Sequence, residues 1–188
     1  MHLDDLLPNS HHVTRQSQRI SAPPDVVWDA LQEVRLSGLP VTLALSAVRL
    51  LPVLLSGRGS GRLHDRPFLD ALPVPLLASS APESVVFGGV LQPWRLTGGE
   101  EPPSLDAEGV HRWVRPGWVK AAMDFRLRPV RDGTELSSET RVLATDPGTR
   151  RRFDRYWRFV RPGSTAIRWE VLTAVQLRAE ARMRSPVA

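Results

Sequence analysis

Two stretches of strict alternation organise the second half of the chain. Across 118–130, Val119, Ala121, Met123, Phe125 and Leu127 share one side, and Lys120, Ala122, Asp124, Arg126 and Arg128 share the other. Across 134–145, Leu136, Ser138, Thr140, Val142 and Ala144 alternate with Glu135, Ser137, Glu139 and Arg141. A period of two marks a strand with one buried face. Asp132-Gly133 reads as a two-residue hairpin turn between them. With those residues at the loop centre, Arg126 faces Glu139, Asp124 faces Arg141, Leu127 faces Ser138 and Phe125 faces Thr140. Each opposite-charge pair supports that register by roughly 0.2–1 kcal/mol. A one-residue slip would carry the apolar set into water. Pro129 requires an edge or an unpaired position.

The first half is more mixed. Residues 11–20 alternate as a strand does, with Val13, Arg15, Ser17 and Arg19 opposite Thr14, Gln16, Gln18 and Ile20. Ser21 reads as a helix cap, and the prolines after it suit a first helical turn. Val27, Leu31 and Val34 then recur at helical spacing beside Trp28. Gly38-Leu39-Pro40 breaks that helix, and a second apolar helix runs to about Leu55. Residues 56–66 read as an exposed loop. Pro73 and Pro75 keep 68–77 from being a regular central strand. Glu83 to Leu91 reads as a strand, with a bulge or bend at Gly88-Gly89. A polar loop over 97–109 and a short strand over 110–114 follow.

The last segment is helical in two pieces. Pro147 opens the first, where Phe153, Tyr156, Trp157 and Val160 form an apolar stripe. Pro162-Gly163 bends or interrupts it. The second carries Ile167, Val171, Ala174, Val175 and Ala179 on one face, with Arg168, Glu170, Gln176, Arg178 and Glu180 on its polar side. This order predicts an α+β fold in which a curved antiparallel sheet wraps around a long C-terminal helix, with two short helices after the first strand. One domain is expected over 1–188, with 1–10 flexible.

Composition narrows the function classes. The chain has 188 residues, 41% of them hydrophobic and 24% charged, which suffices for one globular core. It has no cysteine, so disulfides, thiolate nucleophiles and cysteine metal sites are excluded. The net charge is +5, but acids are interspersed with the arginines along most of the chain. The dense run is Arg150, Arg151, Arg152, Arg155 and Arg158, which reads first as a solvated helix face and second as an interaction patch. Nucleic acid is not expected as a partner. Leu39 to Leu55 is short for a membrane span and carries Arg49, so no transmembrane segment is expected. With no signal peptide visible at MHLDDLLPNS, the expected location is cytoplasmic.

Three strings carry a resemblance. "RISAPPDVVWDAL" (19–31) resembles the opening strand-to-helix passage of the SRPBCC superfamily. The paired strands ending "SSETRVLATD" resemble that family's long hairpin, and "RRRFDRYWRFVRPGSTAIRWEVL" (150–172) resembles the end of an uncharacterised bacterial subgroup of it. The family is START-like and Bet v 1-like, includes polyketide cyclases and lipid-transfer proteins, and has the helix-grip fold. The resemblance spans nearly the whole chain. It implies this fold and an internal cavity but no reaction, because the fold hosts many functions.

Candidate chemistry is sparse. His2, His11, His12, His64 and His111 have no metal-ligand spacing, and neither metal nor cofactor is expected. Gly57-Arg58-Gly59-Ser60-Gly61 lacks the strand-to-helix setting of a phosphate loop. The expected ligand wall is an apolar body of Phe87, Met123, Phe125 and Leu127, with the hydroxyls of Ser138 and Thr140. Trp157, Ile167 and Val171 face it from the helix, and Trp94 and Trp118 lie near the rim. Hydroxyls on such a wall either orient a ligand or bond to local backbone inside a filled core. The first alternative predicts binding or transfer of a small hydrophobic molecule such as a lipid, polyketide or isoprenoid. A cyclase- or dehydratase-like enzyme in the same cavity, with Tyr156 and Arg168 as its first ionisable candidates, is one alternative, and an interaction protein using the basic helix is another. Catalytic residues and oligomeric state stay open.

Overall fold

The computed structural model describes residues 1–46, 65–95 and 100–184. A five-stranded antiparallel sheet is ordered β1-β5-β4-β3-β2, from β1 (His12–Ile20), β2 (Leu76–Ser80), β3 (Ser84–Leu91), β4 (Val119–Val130) and β5 (Gly133–Ala144). Its inner face carries the long helix α5 (Pro147–Arg184) and, beside it, α2 (Pro24–Glu33). The short helices α1 (Leu3–Leu6) and α4 (Ala107–Arg112) cover its outer face. This is the expected α+β, helix-grip arrangement. Residues 40–46 are helical and form α3. The rest of the helix expected to Leu55, the loop over 56–64 with His64, and residues 97–99 lie outside the described residues.

The hairpin alternates as the sequence dictates, but its register differs by two residues. Val130 pairs with Gly133, Leu127 with Leu136, Phe125 with Ser138, Met123 with Thr140 and Asp124 with Glu139. The loop is therefore Arg131-Asp132, and Gly133 is the first paired residue of β5. Gly133 has φ +135, and a Cβ there would lie 2.1 Å from the Ile20 carbonyl oxygen. The glycine serves the close approach of β1 rather than the turn. A shift of two leaves every side chain on its predicted face, because the strand period is two. The charge pairs change instead: Arg128 meets Glu135 at 2.7 Å, and Arg126 turns to Asp124 on its own strand at 3.0 Å. Pro129 pairs with Thr134 at the open end of β4, and β2, which follows the prolines 73 and 75, is an edge strand.

Several local expectations are corrected. Gly88 and Gly89 pair regularly with Ala122 and Ala121, and the irregularity lies in β2 between Leu76 and Ala78. Gly88 makes room for Leu77, whose Cδ1 would be 2.7 Å from an added Cβ. Residues 110–114 are not a strand. Asp106 caps α4 by accepting the Gly109 N–H at 2.8 Å, so the helix begins inside what reads as loop. Ser21 does not cap α2; Pro23 holds the N-cap position, and the Ser21 N–H reaches Glu180 at 3.4 Å. The C-terminal segment is one helix through Pro162. Pro162 and Arg158 are both exposed, so the Arg158 carbonyl released by the missing N–H faces water, which lowers the usual penalty of an interior proline.

The outer face is less polar in use than in sequence. Leu3, Leu6 and Leu7, within the segment expected to be flexible, are buried with Val86, Val110 and Ala122. Lys120 is also buried there and donates from Nζ to the His111 carbonyl at the C-terminal end of α4, 2.5 Å away. Burial pushes its ammonium below the usual lysine range, and the carbonyl end of a helix is a favourable place for a cation. Asp124 is buried, and loss of hydration raises its carboxyl above the usual value. Arg126 and the Glu139 N–H, 3.1 Å away, oppose that rise. Arg141 bridges Glu139 at 2.6 Å and Asp4 at 2.7 Å, tying α1 to β5.

Two outcomes test this account. Gly133→Ala should lower the unfolding free energy by about 1–3 kcal/mol, since the methyl group meets backbone that cannot yield; denaturant unfolding within 0.5 kcal/mol of wild type, roughly the noise of a neutral surface change, would contradict it. Asp146 accepts from the Thr149 hydroxyl and the backbone N–H groups of Gly117 and Thr149, which hold its carboxyl far below the ordinary 3.8. A carboxylate so depressed stabilises the fold above its unfolded pKa, and that stability drains away as pH falls below it. Asp146→Asn should therefore lower the thermal midpoint at pH 7 and flatten its decline below about pH 4.

Candidate functional site

The inner face is built from one side of each strand. β1 contributes His12, Thr14, Gln16, Gln18 and Ile20, and pairing sets these beside Val142, Thr140, Ser138, Leu136 and Thr134 of β5. The next strand adds Ala121, Met123, Phe125 and Leu127, and β3 adds Val85 and Phe87. A band of five polar side chains, Thr14, Gln16, Gln18, Ser138 and Thr140, therefore crosses an otherwise apolar wall.

Helix α5 is gripped at both ends of this wall. At one end Phe153 is buried with Val119, Val142 and Ala144, and Trp94, Tyr156 and Trp157 pack beside them. Phe153 and Trp157 stack at 5.7 Å. His12 Nε2 meets Asp154 Oδ1 at 2.7 Å. The His11 ring, held below its usual pKa chiefly by burial, accepts the Ala144 N–H through Nδ1 at 3.1 Å. At the other end Val171, Leu172, Val175 and Ala179 join Phe125, Leu136 and the buried face of α2. Gln18 there bonds Gln176.

Between the two grips the packing changes. No residue of α5 from 154 to 167 is buried, whereas Phe153 and Arg168 are. The facing sheet positions Thr14, Gln16, Ala121, Met123 and Thr140 are half-exposed. From Asp154 to Gln176 the helix rises about 33 Å, while β1 from His12 to Gln18 rises about 20 Å. A helix with that surplus cannot follow the strand contact for contact, and the half-exposed stretch is where it parts from it.

Several polar atoms of the band lack hydrogen-bond partners among the described residues. The Ser138 side chain is fully buried, and its Oγ has no hydrogen-bond partner among the described residues. Thr14 Oγ1, Gln16 Oε1 and Gln18 Oε1 are buried and unpartnered as well. Buried polar atoms ordinarily find a partner, and each one left without costs roughly 1–3 kcal/mol. The structure thus removes the local-backbone reading of Ser138. Thr140 is half-buried opposite Met123 rather than Phe125.

The expected wall residues divide. Phe87, Met123, Phe125, Leu127, Ile167 and Val171 gather in the larger apolar cluster, and Trp94 and Trp157 in the smaller one. The Trp94 Nε1 is buried without a partner among the described residues, and the Arg152 guanidinium lies 5.8 Å above its ring. Trp118 is buried edge-to-face against Trp113 at 5.9 Å, next to α4, apart from both clusters. The sequence reading set Arg168 on the polar side of its helix. The structure buries it to 5% exposure. Its position three and seven residues before Val171 and Val175 was the available signal. The basic run Arg150, Arg151, Arg152, Arg155 and Arg158 is exposed along α5. Among the described residues no cluster of acids and histidines suits a metal ion, and no helix is long and apolar enough to cross a membrane.

No family model matches the chain, and no curated protein does. Solved structures with a related arrangement include a protein of Mesorhizobium loti, at 14% identity and TM-score 0.41, covering 87% of this chain and 96% of that one. A polyketide-cyclase-like protein of Corynebacterium glutamicum matches at 13% identity and TM-score 0.38, over 94% and 97%. The di-domain ARO/CYC StfQ from the steffimycin biosynthetic pathway matches at 11% identity and TM-score 0.39, over 92% of this chain and 52% of its own. These likenesses concern the fold alone.

Ser138→Ala should leave the ligand-free protein as stable as wild type or more stable by about 1 kcal/mol, because it deletes a hydroxyl with nothing to bond. A loss above 1 kcal/mol in denaturant unfolding, the value typical of a broken hydrogen bond, would show that the hydroxyl is satisfied.

Proposed function

We propose that this protein binds and carries a small hydrophobic molecule, of the size and polarity of a lipid, polyketide or isoprenoid, between α5 and the inner face of the sheet. The observation that supports this most is the absence of any buried residue on α5 between Phe153 and Arg168, over a sheet face that carries unpartnered polar atoms. A solid core would bury both surfaces and match those atoms. A hollow with apolar ends and a polar band suits a guest that buries its greasy body and bonds through a few atoms. Phe87, Met123, Phe125, Leu127, Ile167 and Val171 would form the body of the site, with Ser138 and Thr140 orienting the guest and Trp157 and Trp94 at one end. Nothing in this role requires a covalent step.

Uptake of neutral probes tests it. Native mass spectrometry with 1-dodecanol and fluorescence titration with Nile red should both show saturable binding near one guest per chain. Met123→Trp, which fills the middle of the hollow, should weaken both by roughly tenfold or more, the loss expected when a guest's apolar contacts are displaced. Absence of uptake by the wild-type protein would overturn the reading.

A further inference from the structure

Arg168 is a buried guanidinium that has no counter-ion among the described residues. It shares the inward face of α5 with Val171 and Val175, and its residue is 5% exposed. Its one side-chain hydrogen bond among the described residues runs from an Nη to Ser164 Oγ, one helical turn away, at 2.9 Å. None of the ion pairs among the described residues includes it. A guanidinium has five N–H donors in a planar fork that matches a carboxylate. Placing it out of water without an anion is strongly unfavourable, and proteins normally compensate by pairing it. Desolvation accordingly pushes it below the ordinary arginine value, with no carboxylate opposing.

Its place in the site is fixed by the helix anchors. Arg168 lies between Asp154, which meets His12, and Gln176, which meets Gln18. Thr14 and Gln16 lie between those same two β1 residues and pair with Thr140 and Ser138. The cation and the unpartnered Ser138, Thr14 and Gln16 oxygens therefore fall between the same two anchors along helix and sheet, with apolar clusters on both sides. Ser138 and Thr14 can donate their hydroxyl protons, which, like the guanidinium, suits them to an anion.

We propose that the guest is an anionic amphiphile, a carboxylic acid on an apolar chain or ring system, whose carboxylate is bound by Arg168 and the Ser138 hydroxyl while its body fills the hollow. This rests on the carrier reading above and specifies its ligand. The carboxylate supplies the missing counter-charge, and the flanking clusters explain why a free inorganic anion would not suffice.

The test compares dodecanoate with 1-dodecanol on the intact protein, by native mass spectrometry and by displacement of Nile red. Wild type should bind the acid roughly ten- to a hundredfold more tightly than the alcohol, the worth of a charge-assisted hydrogen bond out of water. Arg168→Met should erase that preference while alcohol binding stays within about threefold, and Arg168→Lys should retain part of it. Should Arg168→Met fail to fold, the wild-type preference decides alone. Equal binding of acid and alcohol by the wild type would overturn the anion site and leave the carrier reading intact, whereas binding of neither would overturn both. Displacement of dodecanoate by millimolar inorganic phosphate with no effect on dodecanol would assign the cation to a free anion and overturn the amphiphile proposal.

Discussion

One helix is held to one sheet at two places, and the inner face takes its character from what happens between them. The aromatic grip at Phe153 and Trp157 and the aliphatic grip at Val171, Leu172 and Val175 fix the ends of α5. Neither can be given up without exposing a large apolar surface, so both ends of the helix are fixed. Between them α5 buries no residue from 154 to 167, and the sheet positions Thr14, Gln16, Ala121, Met123 and Thr140 are half-exposed. The polar atoms there stay unmatched because the backbone geometry that would match them is already committed elsewhere.

This arrangement has a thermodynamic signature. Natural cores rarely leave two buried hydroxyls and two glutamine oxygens unpartnered beside a guanidinium without a counter-ion among the described residues, because each detracts from a stability of only about 5–15 kcal/mol. Sites that bind something are where such local deficits persist. The outer face is the control within the same sheet. There the buried Asp124 and the half-buried Arg141 pair with opposite charges, and the buried Lys120 is set against the carbonyl end of α4.

The period of each element was legible in the sequence; the relation between elements was much less so. Alternation placed Met123, Phe125 and Leu127 on the inner face and Glu139 and Arg141 on the outer one, and a two-residue register shift could not disturb either. The register itself was misread because Asp132-Gly133 looks like a turn, whereas the glycine answers to a carbonyl 113 positions earlier in the chain, at Ile20, which no local signal reveals. α4 was hidden in a polar segment whose only mark was a capping aspartate three residues before a glycine. Arg168 was missed for a related reason. An arginine on a helix reads as solvent-facing unless its neighbours at three and seven residues are weighed above its charge. The polar row of β1 was written as an alternation, but its meaning depended on knowing that β5 lies beside it and α5 above it.

The order of the elements along the chain has one further consequence. Every strand precedes α5, so a ribosome releases the whole sheet before the segment that covers its inner wall exists. Until then Phe125, Leu136, Val142 and Phe87 lie largely open in the nascent chain, sheltered in part by α2 and by Phe68, which meets Phe125 edge-to-face. Such an interval of uncovered apolar surface is when newly made chains stick to one another. The inner wall of the sheet would thus be the last part of the protein to be sheltered during synthesis, which makes production of the intact chain sensitive to holding chaperones and to growth temperature.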